Sequence, residues 1–480
     1  MPSSNPPLAD VPTTSASHAV PWRKKIAYGV GGVPQLFGAI GVKSLAIPVY
    51  QMTLKMDPAL LGLMLALPRI WDAITDPVMG FVSDRTRSRF GRRRPYIVLG
   101  AFLSAFAFAA IWMVPEHWSS TDQAWWFLAT SLLFYTCHTI WAVPYSSLGY
   151  EMTPNYHERT AVMGVQATFV KIGEIFYQWV FPLAQLAIFA SVMQGVRIVT
   201  VAVGVLVFLV LGLLPGLLVK ERFRAPVLAT TPSMKPLRPR FWSNAGDILR
   251  NQALLVLVVL TILKLLNGVF ASSLDYYLLV YHMFDGDLAV GSFWKGVLSS
   301  AYAICGLAFI VPMTWFSRRF DKRATLLGVY ALSVVGGGVK WLVFQPGNTW
   351  IILIDPIVSA PSWIALGLIV PSMVADICDD DEWRHGQRRE GMVGALLSWI
   401  QKTGASLAFF VSGLALNIVG FDAALGGQQN PDTIFSMRLL LGGSTAAIGL
   451  LSMMVLAFYP LNERKLNAIR ADLESRRGAV

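Results

Sequence analysis

Asp72 and Asp76 stand four residues apart inside the stretch PRIWDAITDPVMGFVSD, where nearly everything around them is apolar. On a helix that spacing puts both carboxylates on one face, with Arg69 one turn earlier on the same face. In hydrocarbon each charge is expensive, and two adjacent carboxylates also repel each other. Three arrangements relieve the cost. One carboxyl keeps its proton, a cationic side chain pairs with the two, or a small cation binds between them. Pro77 and Gly80 follow at once and loosen the helix, so that backbone carbonyls can add the oxygen ligands a hard cation favours. The chemistry on offer is a proton or alkali-cation site, with a structural ion pair to Arg69 or another buried base as the plainer reading.

Lys402 lies well inside another apolar run with no acid near it in sequence. A buried ammonium needs a carboxylate from elsewhere, and the Asp72–Asp76 pair is the candidate partner. Other polar residues in apolar runs are Gln35, Lys43, Thr139, Lys171, Glu174, Gln178, Lys264, Asn267, Asp275, Asp355, Ser398 and Gln401. Lys171 and Glu174, three apart, are expected to neutralise each other, and Lys43 to snorkel toward the outer surface. Tyr28, Tyr135, Trp141, Tyr145, Trp363 and Trp399 share helices with these residues; packing is their ordinary role, and stacking on a sugar ring the functional one.

These residues need helices across a bilayer to position them. The chain of 480 residues is 55% hydrophobic and 14% charged, with mean hydropathy +0.54, and long apolar runs recur throughout. That composition marks an all-α, multi-pass membrane protein. Spans are expected at about 27–51, 58–83, 95–115, 123–149, 160–190, 194–219, 252–282, 294–317, 323–345, 350–376, 391–420 and 435–461, twelve in all. The net charge of +11 sits in short loops between alternate spans, which sets aside nucleic acid as a partner and places both termini in the cytoplasm. Residues 1–26 read as a disordered cytoplasmic tail, and 462–480 as a cytoplasmic tail. The polar, Pro-rich stretch 220–251 reads as a cytoplasmic linker between two six-helix halves, 27–219 and 252–461. That is the organisation of a major facilitator transporter, whose solute site lies between the halves. Cys137, Cys305 and Cys378 show no metal or disulfide spacing.

The segments YGVGG (28–32), RIWDAITDPVMGFVSDRTRSRFGRRRP (69–95), VPYSSLGYEMTPNYHERT (143–160), MVADICDDDEWRHGQRREG (373–391) and QKTGASLAFF (401–410) carry a resemblance to a known family. The sequence resembles the glycoside–pentoside–hexuronide:cation symporters, the melibiose-permease-like branch of the major facilitator superfamily. The resemblance implies that Asp72 and Asp76 bind the coupling cation, Na⁺ or H⁺, with Thr75 and Thr139 as further oxygen ligands. It places Lys402 between the cation and solute sites, with Arg69 beside it. On the sugar side the match is poorer: Gln35 and Leu36, Ala142, Ser146, and Gln166 or Ala167 stand where the family's melibiose carriers keep charged or aromatic sugar contacts. Gln35, Lys43, Tyr145, Gln166, Trp363, Ser398 and Gln401 are therefore the candidate solute contacts. Asp84, Arg85 and Arg92 resemble the superfamily's cytoplasmic gating loop, and Asp380 and Arg389 are read as ion-pairing gate residues at that same side.

The expected function is secondary active symport: inward Na⁺ or H⁺ movement coupled to uptake of a sugar or glycoside-type solute by alternating access. No cofactor beyond the coupling ion and no enzymatic activity are expected. A monomer in the inner membrane of a bacterium, in contact with lipid, is the expected setting. A same-fold carrier of a lipid-like or amphipathic solute is the alternative within transporters. A non-transporting sensor is the alternative outside them, and retention of the acidic pair argues against it.

Overall fold

The computed structural model describes residues 20–153, 156–221, 251–385 and 390–477. The expected linker lies almost wholly outside these residues, as does most of the expected first tail.

Among the described residues, all regular secondary structure is helical. The spans are α1 (Trp22–Thr53), α2 (Pro58–Arg85), α3 (Arg94–Ile111), α4 (Ser120–Glu151), α5 (Tyr156–Tyr177) and α6 (Val192–Leu218), then α7 (Gln252–Met283), α8 (Leu288–Arg319), α9 (Lys322–Val343), α10 (Ile354–His385), α11 (Glu390–Ile418) and α12 (Pro431–Ala457). Among the described residues, ten spans are long and apolar enough to cross a bilayer. The remaining two, α5 and α11, run 22 and 29 residues. Sequence-local chemistry starts the helices: Asp57, Ser119, Ser191, Asn251, Asp287 and Asn430 each accept a backbone N–H in the first turn that follows. Large apolar side chains such as Phe106, Val311 and Ile418 are more than 70% exposed, the face a bilayer would cover.

The structure moves several expected boundaries. The first span begins at Trp22, because Pro21 starts the helix and Lys25 pairs with Glu158 at 2.9 Å. The eighth begins at Leu288, six residues before the apolar run, because Asp287 caps it through Ala289 N–H (2.9 Å) and Val290 N–H (3.0 Å). The expected fifth span, 160–190, breaks after Tyr177 into a short helix, Val180–Ala184; Pro182 has no N–H to continue the ladder to Gln178. The expected second tail contains α13 (Glu463–Arg477), which buries Leu466, Ile469 and Leu473 and packs on α10. Those three recur at helical spacing on one face, a signal that the charged composition masks.

Helix direction alternates, so Lys25, Arg92, Glu151, Lys322 and Arg384 share one end of the bundle, the basic face, with Asp57, Ser119, Asp287 and Asn430 at the other. At that opposite face the two halves touch closely. A β-carbon on Gly62 would meet the Phe409 carbonyl oxygen at 2.8 Å, and one on Gly413 would overlap the Pro58 carbonyl. Asn417 donates to Asp57 at 2.8 Å, Trp179 to Ser300 at 3.0 Å, and the Tyr277 hydroxyl to Gln51. Overpacking this joint with Gly413→Val should cost about 1–3 kcal/mol of the closed arrangement. A cysteine replacing buried Gln51, in a chain stripped of its three native cysteines, should then react faster with an impermeant maleimide. Unchanged labelling would contradict the tight joint.

Candidate cation site between the two halves

Midway along α2, the i, i+4 spacing delivers Asp72 and Asp76 to one face, opposite Thr139 of α4. The Thr139 hydroxyl lies 3.1 Å from Asp72 Oδ1 and 3.0 Å from Asp76 Oδ1. Thr75 completes the first half's contribution, its hydroxyl 3.5 Å from that of Thr139. These four oxygen-bearing side chains are the hard donors that an alkali cation prefers. Lys402, reaching across from α11, donates to Asp76 Oδ2 and lies 3.4 Å from Asp72 Oδ2. Arg69 stands 3.8 Å from Asp72 Oδ2, rests on the Tyr135 ring at 4.6 Å, and donates to the Ala39 carbonyl of α1. Two acids and two bases therefore balance.

The lone lysine and the crowded acids solve each other's problem, across the boundary between the halves. The joint is not sealed: the side chains of Asp76 and Lys402 are 32% and 30% exposed. An ammonium held by two carboxylates, one buried and one part-exposed, can be exchanged for another monovalent cation, since both satisfy the same oxygens. The Ala39 carbonyl belongs to a π-helical stretch of α1, Phe37–Gly41, a wide turn of the kind found at functional positions. The next residue, Ile40, lines a cavity of about 410 Å³ whose wall comes from both halves, including Lys171 and Glu174 of α5, Asp275 of α7, Tyr302 of α8 and Trp363 of α10.

Of the expected solute contacts, Trp363 lines this cavity and several others are otherwise engaged. Tyr145 is fully buried, its hydroxyl on the Tyr28 carbonyl at 2.9 Å and its ring stacked between Tyr28 and Trp141, so it is core packing. Gln166 donates to Gln35 at 2.8 Å and Gln35 to Ser146 at 3.2 Å, tying α5, α1 and α4 together. Lys43 does not snorkel; its ammonium lies 5.0 Å from the Phe409 ring of α11, where cation–π attraction replaces water. Gln401 is exposed and not part of the cavity wall. The side chain of Ser398, and Arg389, lie outside the described residues.

Of the expected gate residues, Asp84, Arg92 and Asp380 pair within their own halves. Arg93 binds Asp84 at 3.1 Å and Glu151 at 2.7 Å, and Arg92 also binds Glu151. Arg85 makes no such bridge among the described residues; its guanidinium stacks on Phe81 at 3.7 Å, one turn earlier. Asp380 holds Arg384 at 2.8 Å and Asn251 at 3.3 Å. Sequence reasoning named Asp275 and Asp355 but missed their bases. Lys295 binds Asp275 at 2.6 Å; Lys340 binds Asp355 at 2.5 Å, with Tyr302 and Ser359 also donating to that carboxylate at 2.6 and 2.8 Å. Each pair spans one helical hairpin, with its members near equal distances from the turn, and that symmetry is the signal that would have found them.

A family model described as "MFS/sugar transport protein" matches residues 27–463. The chain is 25% identical over 454 residues to the uncharacterized symporter YnaJ of Bacillus subtilis, covering 94% of this chain and 95% of the relative. It is 25% identical to the sodium-dependent lysophosphatidylcholine symporter 1 of Gallus gallus (94% and 89% covered) and 24% identical to the glucuronide carrier protein homolog of Escherichia coli (95% and 96% covered). Among solved structures, a bacterial homolog of the human lysosomal transporter Spinster superposes with a TM-score of 0.66 at 14% identity, over 95% of this chain and 98% of that one. The helical architecture, the cross-half charge cluster and the match over nearly the whole chain agree. The chain is a transmembrane transporter that belongs to the MFS/sugar transport protein family.

Proposed function

We propose that this protein is a secondary active symporter that couples inward Na⁺ or H⁺ movement to uptake of a sugar or glycoside-type solute. The observation that carries the reading is the bridging of Asp72 and Asp76 by Lys402, a base from the other half. With no coupling ion, that ammonium neutralises the acids and ties α2 to α11. A monovalent cation taken up by Asp72, Asp76, Thr75 and Thr139 competes with the tie and frees Lys402. Ion occupancy thereby acts on the contact between the halves, whose rocking alternates access in this fold. Arg69, shared between Asp72 and the Ala39 carbonyl, extends the same influence to α1 beside Ile40 and the cavity. If the cation raises solute affinity, the solute must raise cation affinity equally. In this reading the basic face is cytoplasmic, by the positive-inside rule, and the chain works as a monomer in a bacterial inner membrane.

A lipid-like solute is the second reading. The similarity to a lysophosphatidylcholine symporter and the apolar Leu36 and Ala142 favour it. Proteoliposome uptake across a panel of glycosides and lysolipids, with a sodium gradient, a proton gradient or neither, decides between them. A glycoside should accumulate only when one ion gradient is imposed. Equal entry under all three conditions would remove the coupling.

A further inference from the structure

The charged groups in the wall of the 410 Å³ cavity are two lysines and two acids, each already paired within the wall. Lys295 and Asp275 meet at 2.6 Å with both side chains 7% exposed, and Lys295 also donates to the Ser272 carbonyl at 3.1 Å. Lys171 and Glu174 meet at 2.7 Å on the facing half and are more open, 32% and 28% exposed. The nearby base Lys264, with no ion pair among the described residues, lies 5.6 Å from the Trp363 ring and lines a separate, water-sized void.

We infer that this cavity is the solute site, formed by α5, α7, α8 and α10, and that it takes a ring-bearing polyol with no net charge. A net charge brought between low-dielectric walls needs a compensating partner. Here it would have to break an existing pair, leaving the other member of that pair uncompensated, which is costly. Hydroxyl groups have no such difficulty. They donate to the free lone pairs of Glu174 and accept from the remaining N–H groups of Lys171 without separating the two. Trp363, 43% exposed, offers the apolar face on which a sugar ring can lie. The volume falls within the ordinary range of roughly 300–1,000 Å³ for small-molecule sites. This choice separates an uncharged glycoside from a glucuronide, which the family match alone does not.

The inference rests on the symporter reading only in requiring a transported solute, so it is tested by exchange at equal ion concentrations on both sides, where coupling is not needed. Phenyl β-glucoside, phenyl β-glucuronide and glycerophosphocholine are compared as probes, with a panel of uncharged mono- and disaccharides. The wild type should exchange the glucoside at least about tenfold faster than the glucuronide, a difference worth about 1.4 kcal/mol. Glu174→Gln leaves Lys171 unpaired and should move the ratio at least about tenfold toward the glucuronide. The double variant Lys171→Gln/Glu174→Gln restores a balanced wall and should return the preference to the glucoside. Faster exchange of the glucuronide or of glycerophosphocholine by the wild type would overturn the inference. So would a ratio unmoved by Glu174→Gln, or the failure of every uncharged sugar to exchange. Loss of gradient-driven accumulation with exchange intact would instead count against the coupling mechanism alone.

Discussion

Asp76→Asn transporters are expected to equilibrate solute but not to concentrate it. The amide keeps the size of the carboxyl and removes one charge, so Asp72 alone faces Lys402 and Arg69. The site is then positive before any ion arrives. Removing a charge-assisted partner in such a setting is worth about 1.5–3 kcal/mol, roughly tenfold to a hundredfold in cation affinity, before the added repulsion is counted. Under a saturating ion gradient the accumulation ratio should fall to about 1, the value for passive equilibration when coupling is lost. Exchange of solute across a membrane with no gradient should survive, because alternation itself does not require the second acid. Asp72→Asn should do the same and also release Arg69, so its exchange rate should fall further. The measurement is ion-driven uptake alongside counterflow in proteoliposomes. Accumulation at the wild-type level by both variants would refute the assignment.

Lys340→Met is expected to be among the most destabilising single changes in the chain. Asp355 is 0% exposed, and its carboxylate is held by Lys340, Tyr302 and Ser359. Removing the ammonium leaves a buried carboxylate with two hydroxyls, and breaking such a pair by deleting one member costs about 3–5 kcal/mol. Replacing both members by apolar residues of similar size is far milder, so Lys340→Met/Asp355→Leu should recover most of the lost stability. Thermal unfolding of the detergent-solubilised protein reads this directly. Equal midpoints for the single and double variants would show that the pair is not coupled. Because Tyr302 belongs both to this network and to the cavity wall, the single variant should also slow exchange more than its stability loss explains.

What was legible in the sequence was whatever depends on chain-local pattern. Apolar run lengths placed the spans, and the alternation of basic loops put the arginines and lysines at one end of the bundle. The i, i+4 acids pointed to a place where charge must be gathered, and the structure brings Thr75, Thr139 and Lys402 to them. What stayed hidden depends on partners distant in the chain or on small backbone devices. Tyr145 looked like a solute contact because its helix is polar, yet its face is set by stacking on Tyr28 and Trp141. Lys295 escaped notice because the span was begun at Trp294, whereas the Asp287 cap carries the helix outward by more than a turn. Lys340 has no acid near it on its own helix, and its partner Asp355 comes from the next one. The α13 helix was lost because its three buried apolar residues are outnumbered by charges.

The balance of two acids against Lys402 and Arg69 has an electrical consequence. In the proposed symport the vacant cluster of these four groups carries no net charge, so it adds nothing of its own to the voltage dependence of the return stroke. A monovalent passenger bound there would add one positive charge to the moving cluster, and a potential of 100 mV across the bilayer is worth about 2.3 kcal/mol per charge. An interior-negative cell would therefore pull the laden form inward and leave the vacant form to reset at leisure, making the transporter a current source whose turnover a voltage clamp can set.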